Sequence, residues 1–309
     1  MATVLIAGGT GLVGQRLSSM LAERGYVVTH LSRTENLNAT YPTFAWDVDK
    51  GFLDERALQN VDYIVNLAGA GVADERWTAE RKKQITESRT ASNLLISNTL
   101  KKIQHQPKAY ISAAAIGWYG DSGNELMTEK AEASRVGFLA ESCRAWEKSI
   151  KNVATTLGIR TVWFRIGIVL STEGGALPKM LLPFKVGLAT YFGDGSQWQS
   201  WIHIDDLCAM FIRSIEDEKM DGVFNAVSPN PVTNKYFVKE IKNTFSTPAL
   251  LLPAPSFALR LAMGEMADVV LGSTKVSCQK MLSIGFEFQF SYLADALREL
   301  LRPEATNPN

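Results

Sequence analysis

The chain has 309 residues, 46% of them hydrophobic, with 32 basic and 32 acidic side chains and a formal net charge of zero. That is enough apolar material for a large core, as one big domain or as a domain with a smaller companion. The balanced charge offers no bulk field to draw in nucleic acid or an anionic membrane, so neither is an expected partner. Cys143, Cys208 and Cys278, like His30, His105 and His203, are scattered without metal-ligand spacing, and no metal site or disulfide framework is expected.

The chain enters a strand by Thr3, with no charged leader and apolar core ahead of it, so a cytoplasmic protein is expected. Thr3-Val-Leu-Ile-Ala7 runs directly into Gly8-x-x-Gly11-x-x-Gly14. Glycine at the first position permits a tight turn, at the second lets backbone N–H groups approach a pyrophosphate, and at the third lets the next helix pack close on the strand. Leu12, Val13, Leu17, Met20 and Leu21 then recur at helical spacing until Gly25, and Tyr26–Leu31 supplies a second strand. Strand, turn, helix and strand in that order predict a dinucleotide site, with the pyrophosphate on the helix N-terminus.

The second strand delivers Ser32 and Arg33 where an NAD-preferring protein places an acidic residue for the ribose 2′-hydroxyl. A guanidinium there suits the 2′-phosphate of NADP, with Ser32 adding a hydrogen bond, although Glu35 is near enough in sequence to compete for Arg33. Thr43–Asp47 reads as a short strand, and Val61–Asn66 as a clearer one running into Leu67-Ala68-Gly69-Ala70-Gly71, whose small residues let backbone lie against a flat cofactor. Thr78–Leu100 is a long helical stretch, Ala109–Ser112 a strand, Gly137–Leu157 a helix and Arg160–Arg165 a strand. The alternation predicts an α/β, Rossmann-type, doubly wound parallel sheet with ligands beyond the carboxyl ends of its strands.

From Gly174 the chain turns to glycine- and proline-rich connections. The expected division is residues 1–173 and 200–228 as the dinucleotide-binding domain, 174–199 and 229–303 as a smaller C-terminal domain covering the substrate, and 304–309 as a tail. The apolar segment 250–272 carries Pro253, Pro255, Arg260, Glu265 and Asp268, which predicts loop and amphipathic helix rather than a bilayer span. Trp198 and Trp201, beside Gln197 and Gln199, form either an aromatic wall for a ring-bearing ligand or the packing of a domain junction.

Gly8-Gly9-Thr10-Gly11-Leu12-Val13-Gly14, Asn66-Leu-Ala-Gly69, Ser112 at a strand end, Arg165-x-Gly167 and Trp201-Ile-His-Ile-Asp-Asp206 fall in an order that resembles the extended short-chain dehydrogenase/reductases, the nucleotide-sugar epimerase-like proteins. Gln197–His203, Asn225–Asn234 and Gly285-Phe-Glu-Phe288 more narrowly resemble an atypical NADP-binding subgroup, the epimerase family proteins, some of them called cell-division inhibitor homologues. The resemblance spans nearly the whole chain. It implies that Gly8, Thr10, Gly11, Leu12, Val13, Gly14, Ser32, Arg33, Leu67, Ala68 and Gly69 touch NADP(H), with Asp47 near the adenine. Gln84, Arg89 and Val169 join that set through the resemblance alone.

Catalytic relatives use Tyr-x-x-x-Lys, whose ammonium lowers the phenol pKa for proton exchange near neutral pH. None of the eight tyrosines here has lysine four residues later. With Glu147 matched to the glutamate that often follows the motif, Leu139 and Cys143 hold the two positions, and neither does acid–base work at neutral pH. Ser112, where the family's active-site serine is expected, and Tyr119, in the loop after it, are the substitute catalytic candidates, Tyr119 being equally readable as an aromatic lid. Trp198, Trp201 and His203 are the substrate-side candidates, with a structural role the favoured reading of His203. Two functions remain open: an NADPH-dependent oxidoreductase or epimerase-like enzyme acting on an unidentified small carbonyl or sugar-type substrate, and an NADPH-binding sensor with little chemistry. Nothing in the sequence addresses oligomeric state.

Overall fold

Thr3–Ala7 (β1) lies in the middle of an eight-stranded sheet in a computed structural model that describes residues 1–244 and 248–302. Val4, Leu5, Ile6 and Ala7 are fully buried, as expected of a strand covered on both faces. The glycine turn follows, then Leu12–Glu23 (α1), Val27–Ser32 (β2), Thr43–Asp47 (β3), Phe52–Leu53 (β4), Tyr63–Asn66 (β5), Ala79–Ile103 (α2), Ala109–Ala115 (β6), Phe138–Leu157 (α3), Arg160–Ile166 (β7) and Gly222–Ala226 (β8).

The sheet order is β8-β7-β6-β5-β1-β2-β3-β4. Strand β1 runs parallel to β2 and β5, β2 is parallel to β3, β6 is parallel to β5 and β7, and the short β4 returns antiparallel to β3. This is the doubly wound Rossmann-type α/β sheet that the strand and helix alternation predicts. Its register decides where ligands go. Ala7 pairs with both Leu31 and Asn66, and Asn66 pairs with Ser112, so the turns after β1, β2, β5 and β6 leave the sheet from one edge.

Helix boundaries follow local chemistry. The Thr78 hydroxyl accepts from the Arg81 N–H and starts α2, while Gly158, in the left-handed region at φ 64°, ends α3. One core cluster joins Leu5, Leu31, Trp46, Leu58, Ile64, Ile96, Leu100 and Tyr110, so the apolar stripe of α2 packs against the strands beside it.

The chain divides into two units, and the boundaries differ from those expected. The first comprises Met1–Gly120, Ala131–Ile166 and Cys208–Asn225; the second comprises Asp121–Lys130, Gly167–Leu207 and the chain from Ala226 onward. Ile168–Leu170 leaves the main sheet and pairs in parallel with Trp201–His203, which moves the expected boundary at 173 back to 166 and that at 199 forward to 207. Asp121–Lys130 joins the second unit because Leu126–Met127 pairs with Lys275–Val276, a long-range contact that no local pattern announces. The second unit has its own core around Trp201, Phe184, Phe237 and Leu297. Segment 250–272 forms a strand, Leu250–Ala254, and short helices at Ser256–Met263 and Ala267–Leu271. Among the described residues no helix is long and apolar enough to cross a membrane. The expected tail, 304–309, lies outside the described residues.

Ile64 is fully buried on the strand beside β1. Ile64→Ala is expected to cost about 2–5 kcal/mol through lost transfer energy and the cavity left behind. Urea unfolding of the two proteins measures it, and a loss well under 1 kcal/mol would show that the site collapses or is not core.

Candidate functional site

The glycine turn is built by close approach. Gly8 has φ 79°, and a Cβ there would lie 3.0–3.1 Å from the Leu67–Ala68 backbone. At Gly14 a Cβ would meet the Gly8 carbonyl oxygen at 2.4 Å, an overlap that backbone cannot relieve cheaply. Gly11 caps α1 and, having no side chain, offers no acceptor to the first N–H groups of the helix. Thr10 and Gly11 are exposed, and Leu12 and Val13 are half-buried beside them. Such an end favours a negatively charged group.

Beneath the turn lies His30, a buried residue of β2. Its Nε2 is 2.7 Å from the Ser18 hydroxyl, which donates to the Gly14 carbonyl at 2.7 Å. Burial pushes the imidazole down from 6.5 to about 4.

At the end of β2, Ser32 is half-buried and Arg33 exposed. Glu35 pairs with Arg56, which also holds Asp54, so the competition for Arg33 expected from sequence proximity is taken up elsewhere. Asp47 ends β3, but its carboxylate accepts from the Lys50 N–H at 3.1 Å and pairs with the Lys50 ammonium at 2.8 Å. These contacts hold the carboxyl below its ordinary range.

Asn66 fixes the next turn. Its amide donates to Ser92, Asn93 and Tyr110 at 3.1, 2.8 and 2.9 Å, and its side-chain oxygen accepts from the Ala68 N–H at 3.1 Å. Leu67 and Ala68 are thereby held half-buried at the sheet edge, with Gly69 exposed after them. A Cβ on Gly69 would stand 3.1 Å from the Arg89 guanidinium. Arg89, on α2, is buried; it donates to the Ile85 carbonyl at 2.7 Å and lies 4.9 Å from the centre of the Trp146 ring. No carboxylate among the described residues pairs with it, and burial lowers its pKa from the ordinary guanidinium value. A buried cation beside a glycine-opened turn is the second feature here that suits an anion. Gln84 accepts from Arg81 at 2.6 Å one turn away. Val169 sits on the short strand Ile168–Leu170 of the second unit, opposite Ile202.

The catalytic candidates fare differently. Ser112 is fully buried inside β6, and its hydroxyl donates to the Ala113 carbonyl at 2.9 Å, so the expectation of an available serine is corrected: the hydroxyl serves backbone. Tyr119 is also buried, and it is no lid. Its hydroxyl donates to Asn225 at 2.6 Å and accepts from Arg165 at 3.0 Å, while Arg165 makes a bidentate pair with buried Glu147 at 2.6 and 3.0 Å and stacks over Trp118 at 4.1 Å. On α3, Cys143 and Leu139 face Gly117, whose Cβ would lie 3.2 Å from the thiol and 3.4 Å from the Leu139 side chain. Burial pushes the Cys143 thiol up to about 12.

Of the substrate-side candidates, Trp201 is fully buried and donates to the Asn230 carbonyl at 3.0 Å, so it is core of the second unit and not a wall. His203 is buried as well, 3.0 Å from Glu299, stacked 3.9 Å from the Phe290 ring, and accepts from the Asp205 N–H at 3.1 Å. It is a satisfied structural residue, the reading favoured from sequence. Trp198 alone stays half-buried, with its indole on Asn124 at 2.8 Å and the Lys275 ammonium 4.1 Å from its ring. Sequence reasoning missed His30 and the Asn66 network; alternation along β2 places His30 on one face but does not say that the face lies under the turn.

A glycine turn at the N-terminus of α1, on the ligand edge of a parallel sheet, defines a Rossmann-type α/β protein. The model of the NAD dependent epimerase/dehydratase family matches residues 4–226, and a domain of unknown function (DUF1731) matches residues 254–300. Epimerase family protein YfhF of Bacillus subtilis is 36% identical over 307 residues, covering 98% of this chain and 99% of that protein. Epimerase family protein SAOUHSC_00792 of Staphylococcus aureus is 34% identical, covering 98% and 100%. The crystal structure of human epimerase family protein SDR39U1 (isoform 2) with NADPH superposes with a TM-score of 0.86 at 30% identity, covering 97% of this chain and 99% of that one. The chain belongs to the NAD dependent epimerase/dehydratase family, among the atypical extended short-chain dehydrogenase/reductases called epimerase family proteins.

The depressed pKa of His30 has a signed consequence. The unfolded chain binds a proton near pH 6.5 and the native one only near pH 4, so this group's contribution to stability is whole above about pH 6.5 and is lost as pH falls toward 4. Relative to His30→Gln, which does not titrate, the wild-type protein is expected to lose unfolding free energy across that window. Urea midpoints at several pH values check this, and parallel profiles would overturn it.

Proposed function

We propose that this protein binds NADP(H) in its first unit and uses it on a small carbonyl or sugar-type substrate. The observation that carries the reading is the exposed Arg33 at the end of β2, free of Glu35, on the same sheet edge as the glycine turn. Gly8, Gly11 and Gly14 with the start of α1 would hold the pyrophosphate, Arg33 and Ser32 the 2′-phosphate, and Leu67–Gly69 with Arg89 the rest of the dinucleotide. The human relative solved with NADPH supports the choice of NADP. Bound there, the nicotinamide supplies hydride transfer.

Proton transfer is then left to the substrate or water. Leu139 has no proton to give, Cys143 holds its own too tightly, and Tyr119 and Ser112 spend theirs inside the fold. The same observation favours a second reading, in which the protein senses NADPH and turns over little.

Arg33→Glu is expected to weaken NADPH at least about tenfold while leaving NADH nearly unchanged, because it removes a charge-assisted contact that only the 2′-phosphate makes. Calorimetric titration with both cofactors measures this, and equal losses would remove the preference. Stopped-flow absorbance of the NADPH complex against carbonyl and nucleotide-sugar compounds separates the two readings: oxidation by one of them establishes the enzyme, and none across the panel favours the sensor.

A further inference from the structure

The glycine pattern explains how the turn bends but not what keeps it in place, and His30 fills the space beneath it. A Cβ built on Gly9 would fall 2.3–2.6 Å from three atoms of the imidazole, so the ring packs directly against the Gly9 backbone. The Tyr41 ring is a second neighbour, 5.2 Å away between centroids. Because Ser18 spends its hydroxyl proton on the Gly14 carbonyl at 2.7 Å, the ring N–H at Nε2 donates to the Ser18 oxygen, also at 2.7 Å. One side chain from β2 thus touches the second residue of the turn and, through Ser18, the last glycine of it on α1. Both ring and hydroxyl are buried, where such a link is not exchanged with water.

We infer that His30 is a positioning residue for the pyrophosphate: it fixes Gly9 and Gly14 relative to each other, so that the backbone N–H groups of the turn point at one place before a dinucleotide arrives. This rests on the reading of the turn as an NADP(H) site. Buried and held uncharged, with a pKa of about 4, the ring acts by shape and one hydrogen bond and not as a positive charge toward phosphate.

The test compares NADPH with adenosine 2′-phosphate, which keeps the adenine end of the cofactor and lacks the pyrophosphate. Affinities are measured by calorimetry on the full chain for wild type, His30→Ala, His30→Gln and Ser18→Ala. The expected result is a loss for NADPH of at least about tenfold in His30→Ala and a smaller one in Ser18→Ala, adenosine 2′-phosphate unchanged within about twofold, and near-wild-type NADPH binding in His30→Gln, which keeps a donor for Ser18. Should His30→Ala fail to fold, Ser18→Ala decides. NADPH affinity unmoved in the variants, or both ligands weakened alike, would overturn the role of His30 while leaving the cofactor site standing. A wild-type protein that binds neither NADPH nor NADH would overturn the cofactor reading and this inference together.

Discussion

The carbonyl oxygen of Gly8 occupies the place where any side chain at residue 14 would begin, and the organisation of the first unit depends on that contact. It brings the start of α1 against the end of β1. With α1 so placed, the parallel register of β1 with β2 and β5 carries Ser32, Arg33 and Leu67–Gly69 to the same edge. The shared edge is therefore a consequence of strand alignment, with three different turns supplying the glycines, Ser32–Arg33 and Leu67–Gly69.

Buried charge is treated in two ways within this unit. Arg165 is neutralised by Glu147 in a bidentate pair, with Tyr119 and Trp118 beside it. Its bonds hold the turn after β6 against α3 and β7. Arg89, on a neighbouring helix, has a carbonyl and an indole face but no carboxylate among the described residues. A buried cation is costly without an acidic partner, and Arg89 meets that cost with a carbonyl and a ring face in place of a carboxylate. Of the catalytic candidates, Tyr119 belongs to the Arg165 network, while Ser112 gives its hydroxyl proton to the Ala113 carbonyl.

Much of the first unit was legible in the residue order. A β-branched run followed by glycines at 8, 11 and 14, helical spacing through Leu21, and a second strand ending in Arg33 are local signals, and each depends on backbone geometry that a few neighbours determine. The missing Tyr-x-x-x-Lys pair was equally plain, because it is a statement about identities and spacing. Resemblance added Arg89, which in isolation is one cation among several on α2; its burial against Trp146 is a matter of which face of the helix meets α3.

Sequence by itself determined the order of elements, the glycine turn and the basic residue at the end of β2, since bond geometry and short-range periodicity are enough for these. Tertiary structure alone decided that Ser112, Tyr119, Trp201 and His203 are buried and satisfied, because a hydroxyl or an indole carries no mark of its exposure until strands from distant parts of the chain close over it. It also decided that Glu35 turns to Arg56, that Leu126–Met127 pairs with a strand some 150 residues away, and that His30 lies under Gly9. Those contacts join segments far apart in sequence, and only packing selects among the partners that composition allows.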